Sequence, residues 1–325
     1  MHKLGFFAAT ALVVAQPAAL AQSTNTNTGD SVVDLQPLQN EPSRADLFEL
    51  ITAAANADDP ETKKDATKFF ALNGPFKFPN DALYDIVENK DRVDSIFGAD
   101  VSHHTGADFP IETLSQKQVK FLYLKATQGT GFKDSKFASF WQRLEKLPPG
   151  EKIHRGAYHF LSSDGDGAAQ GATFVRFVKA HGGLKSTDMP PVVDLEWDKA
   201  NVSSEDRWKG KSPDQIINST KAWLETVEKG LGRKPMIYTA RAWWRERIGD
   251  EAKFSALAAY PIWIADYSKT ARAVEIPKVP NSSKWVLWQY TDRATMKTGY
   301  ARGFDANIFK GKEAEFYEAL QVQRF

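Results

Sequence analysis

The chain has 325 residues, of which 42% are hydrophobic and 26% are charged, and it contains no cysteine. This composition excludes a disordered chain, a disulfide scaffold, a zinc–cysteine site and a thiol nucleophile. The formal net charge is +1, so there is no overall basic excess that would indicate a nucleic-acid partner.

The first 21 residues have the pattern of a secretory signal peptide. His2 and Lys3 give a basic start, an apolar run follows over Leu4–Val14, and Ala19 and Ala21 supply small residues at the spacing that signal peptidase requires. The apolar run is too short to cross a bilayer, which takes about 20 residues. We therefore predict an exported protein, secreted or periplasmic, with no membrane anchor after signal cleavage.

The next segment divides into a linker and a helical extension. Residues 22–42 are rich in Ser, Thr, Asn and Gln and read as a flexible linker. Residues 43–94 predict a small helical N-terminal extension, with a cap at Ser43, a second cap at Asp59-Pro60, and a short third helix over Asp81–Glu88.

Residues 95–325 alternate strand and helix patterns, which is typical of parallel strands joined by crossovers. The clearest helix begins at Ser212, where a capping box includes a proline, and it ends at Gly232. The later strand patterns are separated by loops. We therefore predict an α/β fold, an irregular TIM-like (β/α) barrel that is regular in its first half. Its eight predicted strands are Ile96–Val101, Lys120–Ala126, His154–Phe160, Pro191–Trp197, Pro235–Thr239, Pro261–Ala265, Trp285–Tyr290 and Gly303–Ile308.

Four carboxylates fall at strand ends, which is where the sites of such barrels lie. They are Asp100, Asp194, Glu196 and Asp305. Asp194 and Glu196 are two residues apart and share one face of their strand. Like charge and desolvation together predict a raised pKa for one of the two, which suits a general acid. The alternative interpretation of each acid is a structural ion pair or a helix cap.

Aromatic side chains concentrate in or just after the same strands. Their rings suit the apolar faces of sugars, and the polar atoms of Tyr and Trp reach hydroxyl groups. Together with the acids they favour a carbohydrate cleft and glycoside hydrolysis by two carboxylates. These aromatic residues are Tyr158, Trp197, Tyr238, Trp263, Tyr267, Trp288 and Tyr290.

Eight short segments occur in an order that resembles glycoside hydrolase family 25, the Chalaropsis-type lysozymes. The resemblance covers about residues 95–312. It implies a barrel that cleaves the β-1,4 bond between N-acetylmuramic acid and N-acetylglucosamine, with peptidoglycan as partner. The segments begin at Gly98 (GADVS), Leu124 (LKATQGTG), Gly156 (GAYHF), Val193 (VDLE), Ile237 (IYT), Ile262 (IWIA), Trp288 (WQY) and Asp305 (DANIF).

The resemblance also implies roles for single residues. Glu196 matches the general acid, Asp194 the acid that stabilises the cationic transition state or orients the N-acetyl group, and Asp100 and Asp305 two further acids of the cleft. Gln128 departs from the family, which more often has Glu there, and Asp266 stands at a variable position. The implied substrate-binding residues are Tyr158, Lys125, Tyr238, Trp263, Gln289 and Tyr290.

Several alternatives stay open at this point. The reaction could use an enzyme nucleophile, the acetamide of the substrate, or an inverting water; carboxylates about 5–5.5 Å apart favour the first and about 6.5–9.5 Å the last. The chain could also be a non-catalytic cell-wall-binding barrel, or a glycosidase acting on another N-acetylated polymer. No metal site and no cofactor is predicted, and the sequence does not identify a protein inhibitor.

Overall fold

The computed structural model describes residues 76–325, except Val87 and Val202. The predicted signal peptide, the linker and the first two helices of the extension lie outside the described residues. Within them, no helix combines the length and the hydropathy that crossing a membrane requires.

Eight strands form a closed barrel in the order β4-β5-β7-β8-β9-β10-β11-β12, and β12 pairs with both β11 and β4. All neighbouring pairs are parallel except the two that β12 makes. The predicted barrel and its eight strands are therefore confirmed. The strands are β4 Ser95–Val101, β5 Val119–Gln128, β7 His154–Phe160, β8 Val192–Leu195, β9 Met236–Ala240, β10 Ile262–Ala265, β11 Leu287–Met296 and β12 Phe304–Lys310.

The antiparallel direction of β12 follows from the chain length before it. Only residues 297–303 connect β11 to β12. A parallel neighbour needs a crossover of a dozen or more residues, so a connection this short can only return the chain as a hairpin. The start of β12 consequently lies at the barrel end where the parallel strands finish, and this end is called the upper rim below.

Helices and 3₁₀ turns cover the outside of the barrel. Ser212 and Gln215 form the predicted capping box at the start of α4, and Gly232 ends that helix with a φ of 64°. The helices are α1 Asn80–Leu83, α2 Phe137–Glu145, α3 Gly167–Ala180, α4 Pro213–Leu231, α5 Arg241–Arg247, α6 Lys269–Val274 and α7 Glu313–Leu320. The 3₁₀ turns are Ile111–Thr113, Ser115–Lys117, Pro149–Glu151, Arg207–Gly210, Glu251–Leu257 and Pro280–Ser282.

Aromatic rings in the barrel interior occupy the space that two glycines on neighbouring strands leave open. A Cβ atom on Gly98 would lie 2.3 Å from the ring of Phe121, and one on Gly156 would lie 2.2 Å from the ring of Tyr123. Both rings are fully buried. Glycine at these two positions therefore makes room for the rings of the neighbouring strand to cross the core.

A buried histidine joins β7 to the helical layer. His159 faces outward, where its Nδ1 lies 2.7 Å from Thr127 Oγ1 and its Nε2 lies 3.2 Å from Gln170 Oε1. Its ring stacks on Trp223 of α4 at a centroid distance of 5.6 Å. Burial lowers the pKa of His159 to about 3, so the imidazole is neutral and belongs to the packing between the sheet and the helices.

Residues 76–94 pack against the barrel through a short strand. β1 (Lys77–Phe78) pairs in parallel with Thr295 and Met296 of β11. The predicted third helix is shorter than expected: α1 stops at Leu83, and β2 (Tyr84–Asp85) then forms a hairpin with β3 (Lys90–Asp91). The Oδ1 atom of Asp85 accepts from the backbone N–H of Glu88 inside that turn, a contact that a continuous helix could not make.

One further short strand completes the list of elements. β6 (Phe132–Lys133) pairs antiparallel with the end of β5, where Thr127 faces Lys133 and Gln128 faces Phe132. This hairpin extends β5 above the upper rim and brings Phe132 over the residues at its end.

Candidate active site

Strand register brings the predicted site residues to one inner surface. Residues paired across neighbouring strands point to the same side of a sheet, and side chains alternate along each strand. The register partners at the upper rim are Asp305 with Asp100, Asp100 with Tyr123, Lys125 with Tyr158, Phe160 with Asp194, Asp194 with Tyr238, Tyr238 with Trp263, and Gln289 with Asn307.

All four acids are buried at this surface. Asp100 is 1% exposed, Asp194 2%, Glu196 3% and Asp305 8%. Asp100 and Asp305 come from opposite ends of the barrel sequence and meet as direct partners, because β12 begins at the rim where β4 ends. Burying four carboxyl groups to this extent is costly for a protein unless the groups have a use.

Asp100 is held by two amide groups. Its Oδ2 accepts from Gln289 Nε2 at 2.7 Å and from Asn307 Nδ2 at 2.8 Å. Oδ2 is therefore the acceptor of both amide groups. The side chain of Asp100 is thereby fixed in orientation at the centre of the rim.

Three aromatic side chains fix those two amides in turn. Tyr238 donates its hydroxyl to Gln289 Oε1 at 2.7 Å, and Tyr267 donates to the same oxygen. Trp263 donates from Nε1 to Asn307 Oδ1 at 2.8 Å. Each amide therefore turns its NH₂ group toward Asp100.

Asp194 and Glu196 stand at the end of β8, the first within the strand and the second just after it. The chain beyond them is tightly anchored. Asp198 is buried and accepts from the hydroxyls of Ser162 and Ser163, and its own N–H donates to Asp206. These contacts hold the segment that carries Glu196 against the loop after β7.

Asp206 anchors the same segment from its other side. Its Oδ2 forms an ion pair with Arg247 of α5, and its Oδ1 accepts from the backbone N–H of Trp208. Burial raises the pKa of Asp206 above its ordinary value, against the lowering effect of these hydrogen bonds. Trp197, next to Glu196, donates from Nε1 to Glu246 at 2.7 Å.

Lys125 supplies a positive charge beside the acids. Its ammonium donates to Gln128 Oε1 at 2.6 Å and lies 5.0 Å from the ring centroid of Phe160 and 5.3 Å from that of Phe132. No salt bridge of Lys125 occurs among the described residues. Because position 128 holds a neutral amide rather than a carboxylate, this hydrogen bond leaves the positive charge of Lys125 uncompensated by residue 128.

Tyr290 does not join this group. It follows Gln289 on β11 and faces outward, where its ring packs 5.1 Å from Phe76 and 6.2 Å from Phe97. The other predicted substrate contacts, Tyr158, Lys125, Tyr238, Trp263 and Gln289, all lie on the inner surface. Trp263 is only 1% exposed and its ring stacks on Tyr123 at 4.8 Å, so it forms the floor of the pocket.

Sequence reasoning left Asn307 out of the site. Asn307 is two residues after Asp305 on one strand, and the strand period alone would have placed both side chains on the same face. Tyr267, which follows the end of β10, was predicted only as one of the aromatic residues near the strand ends and not as a substrate contact. Among the described residues, no three His, Cys, Asp or Glu side chains come together that could hold a metal ion.

Comparison with known proteins identifies the family. The sequence model described as glycosyl hydrolases family 25 matches residues 99–298, which is more than half of the chain and runs from the end of β4 past β11. The chain belongs to glycosyl hydrolase family 25. The resemblance inferred from the eight segments is confirmed, and with it the enzyme class, a glycoside hydrolase.

Several named proteins resemble this family 25 chain over the barrel. Lysozyme M1 of Streptomyces globisporus is 29% identical over 222 residues, 67% of this chain and 68% of that protein. The N,O-diacetylmuramidase of Arthroderma benhamiae is 30% identical over 227 residues, 68% of this chain and 84% of that protein. The match to YegX of Escherichia coli O157:H7, 28% identical over 200 residues, spans 61% of this chain and 62% of that protein.

A solved family 25 structure has the same fold. The bacterial lysozyme from Streptomyces coelicolor superposes with a TM-score of 0.59 at 27% identity, covering 70% of this chain and 97% of that one. The predicted boundaries at residues 21, 42 and 94 stay predictions.

Proposed function

We propose that this chain is a peptidoglycan hydrolase, an N-acetylmuramidase that cleaves the β-1,4 bond between N-acetylmuramic acid and N-acetylglucosamine. The observation that carries the proposal is a family 25 barrel in which Asp100, Asp194, Glu196 and Asp305 are all buried at or just beyond strand ends, with Asp100 and Asp305 as direct register partners. The names of two relatives, a lysozyme and an N,O-diacetylmuramidase, support the choice of substrate.

Glu196 is the proposed general acid. It stands just beyond the end of β8, and the anchored segment behind it, from Trp197 to Asp206, limits its movement. A carboxylic acid in a poorly hydrated pocket among other carboxylates favours its protonated form, which is the form that can protonate a leaving glycosidic oxygen. Asp194, two residues earlier, would face the positive charge that develops on the sugar ring.

Asp100 and Asp305 complete the proposed electrostatics. The two amide donors keep Asp100 oriented as an acceptor, and its register partner Asp305 adds a second negative group at the rim. Lys125 on β5, the strand next to β4, adds a positive charge. Preoriented charges of this kind stabilise a cationic transition state without rearrangement during the reaction.

The proposed place of action is outside the cytoplasm. Peptidoglycan lies beyond the inner membrane, and residues 1–21 carry the pattern of a signal peptide. Export, to the periplasm or to the medium, therefore agrees with the proposed substrate. N-terminal sequencing of the mature protein tests this proposal, and a mature chain that starts at Met1 would contradict it.

The central test is the release of reducing ends from purified peptidoglycan. We expect the wild-type chain to release them and Glu196→Gln to be slower by at least ~100-fold, the usual size of general acid catalysis. Glu225→Gln is the matched control, because Glu225 is exposed on α4. Near-wild-type turnover by Glu196→Gln would overturn the assignment of the acid.

The products discriminate between the alternatives. Mass spectrometry of borohydride-reduced products identifies a muramidase when the reduced end is muramic acid. Reduced glucosamine ends would instead mean a glycosidase of different specificity, and wall binding without any reducing ends would mean a non-catalytic barrel. Proton NMR of the first anomer formed then separates retention from inversion.

A further inference from the structure

A groove of about 320 Å³ continues outward from two of the catalytic acids. Asp100 and Asp305 form its inner end. One wall is the loop after β4, with Ser102 and His104, and the other is the β11–β12 hairpin, with Arg293 and Arg302. The groove therefore leads from the proposed site of bond cleavage to a pair of cations.

Two ion pairs of exposed arginines stand at the outer end of the groove, whereas the acids at its inner end are buried. The side chains of Arg293 and Arg302 are 61% and 59% exposed, and Arg293 Nε lies 3.6 Å from Oδ1 of Asp292, which also lines the groove. Arg302 forms an ion pair with Asp108 and lies 5.2 Å from the ring centroid of Tyr300. Guanidinium groups held in this way present a fork of donors to a planar carboxylate.

The hairpin wall is rigidly supported. The backbone N–H groups of Thr295 and Lys297 donate to the carbonyls of Phe76 and Phe78 at 2.7 and 3.0 Å. The ring of Tyr300 packs 5.1 Å from Phe109. A wall fixed from both sides positions its cations before any ligand arrives, which reduces the entropy cost of binding.

We infer that this groove is a subsite for the peptide branch of muramic acid, with Arg302 and Arg293 recognising its carboxylate groups. The inference rests on the proposed muramidase function. The glycan chain of peptidoglycan consists of sugars linked by neutral bonds, and its carboxylates lie on the short peptide attached to each muramic acid. A groove that ends in two guanidinium groups beside the cleavage site fits that acidic branch rather than a further sugar.

The test compares one glycan with and without its peptides. Soluble peptidoglycan strands are assayed directly and after an amidase has removed the peptides, which takes away the carboxylates of the peptide and leaves one lactyl carboxylate on each muramic acid. We expect the wild type to prefer the peptide-bearing strands, and the double variant Arg293→Gln, Arg302→Gln to lose about 5- to 10-fold in kcat/KM on them alone, through a higher KM at unchanged kcat. Activity on the stripped strands should stay within twofold.

Arg324→Gln is the matched control. Arg324 is 64% exposed, pairs with Glu313 at 3.9 Å and lies 4.9 Å from the ring centroid of Tyr317. Like Arg302, it is thus an exposed arginine that contacts one acidic side chain and one tyrosine ring. The neighbouring Phe325 stacks on His154 at the start of β7, at the opposite end of the barrel. This variant should act like wild type on both substrates.

Removal of Asp108 tests the same inference in the other direction. Asp108→Asn releases Arg302 from its ion pair and should increase the preference for peptide-bearing strands. The subsite would be overturned if the wild type cleaved both substrates equally, or if the double variant lost the same factor in kcat/KM on both. Either result would leave the muramidase proposal intact. A chain that releases reducing ends from neither substrate would overturn the muramidase itself.

Discussion

Replacing Asn307 with Asp tests the network around Asp100 with almost no change of shape. In the wild type Asn307 Nδ2 donates to Asp100 Oδ2 at 2.8 Å, and Asn307 Oδ1 accepts from Trp263. The Asp side chain keeps the acceptor for Trp263 but puts a second carboxylate against Asp100. Both positions are almost fully buried, so water cannot screen the pair.

The structure gives the size of the effect. Two unit charges about 4 Å apart at an effective dielectric constant near 20 repel by about 4 kcal/mol. The pair in Asn307→Asp therefore shares one proton at neutral pH, and the folded variant holds one proton more than the unfolded chain. Because the unfolded state binds fewer protons, the free energy of unfolding must fall as the pH rises.

Urea denaturation of Asn307→Asp should show a loss of about 2–4 kcal/mol at pH 7 that becomes smaller toward pH 4. Loss of a hydrogen bond to a charged group, about 1.5–3 kcal/mol, also predicts a fall of at least ~10-fold in kcat/KM. Asn218→Asp, exposed on α4, is the control and should change neither quantity. An unfolding free energy equal to that of the wild type at pH 7 would refute the reasoning.

Three further predictions concern the barrel and its surface. Gly156→Ala should lower the free energy of unfolding in urea by about 1–3 kcal/mol, because its Cβ would lie 2.2 Å from a tyrosine ring. Gly150→Ala, whose Cβ would have nothing within 4 Å, should change it by less than about 0.5 kcal/mol. Equal losses in the two variants would contradict the packing argument. In the wild type, stability should fall as the pH is lowered from roughly 6.5 to 3, because the buried imidazole of His159, with its pKa lowered to about 3, binds a proton less readily than the unfolded chain does. His159→Gln should make this fall smaller, and an unchanged dependence of stability on pH would contradict the reasoning. Glu145→Gln should lower the free energy of unfolding by at most about 1 kcal/mol at pH 7, since the side chain of Glu145 is nearly half exposed. The Lys185 hydrogen bond lowers the pKa of Glu145 to about 2, so this loss should vanish as the pH falls toward that value. A loss that persists at pH 2 would be inconsistent with that origin.

Local pattern predicts most of the residues that lie on the inner surface of the upper rim. Asp100, Asp194 and Asp305 each lie within a strand, and the rule that parallel barrels act at their strand ends predicts that they share that rim. The same strand period separates Gln289, which faces inward, from Tyr290, which faces the aromatic cluster at Phe76. A motif of consecutive residues suggested both as substrate contacts, although neighbours on a strand face opposite sides.

Other features depend on contacts between distant parts of the chain. The hairpin at residues 84–91 replaces the predicted end of a helix because Tyr84 and Asp85 find strand partners, which a helical period cannot reveal. Tyr267 lies beyond β10, in a segment without periodic signal, and its hydroxyl reaches Gln289 only when the barrel closes. Such positions are fixed by tertiary packing rather than by propensity.

The last strand makes the orientation of Asp100 depend on a completed molecule. Asp305 and Asn307 are synthesised more than 200 residues after Asp100, and they reach it only when β12 inserts between the first and the seventh strands of the barrel. A nascent or truncated polypeptide holds Asp100 without the neighbours that orient it. The strand that closes the barrel is thus also the strand that completes the surroundings of a buried acid on its upper rim.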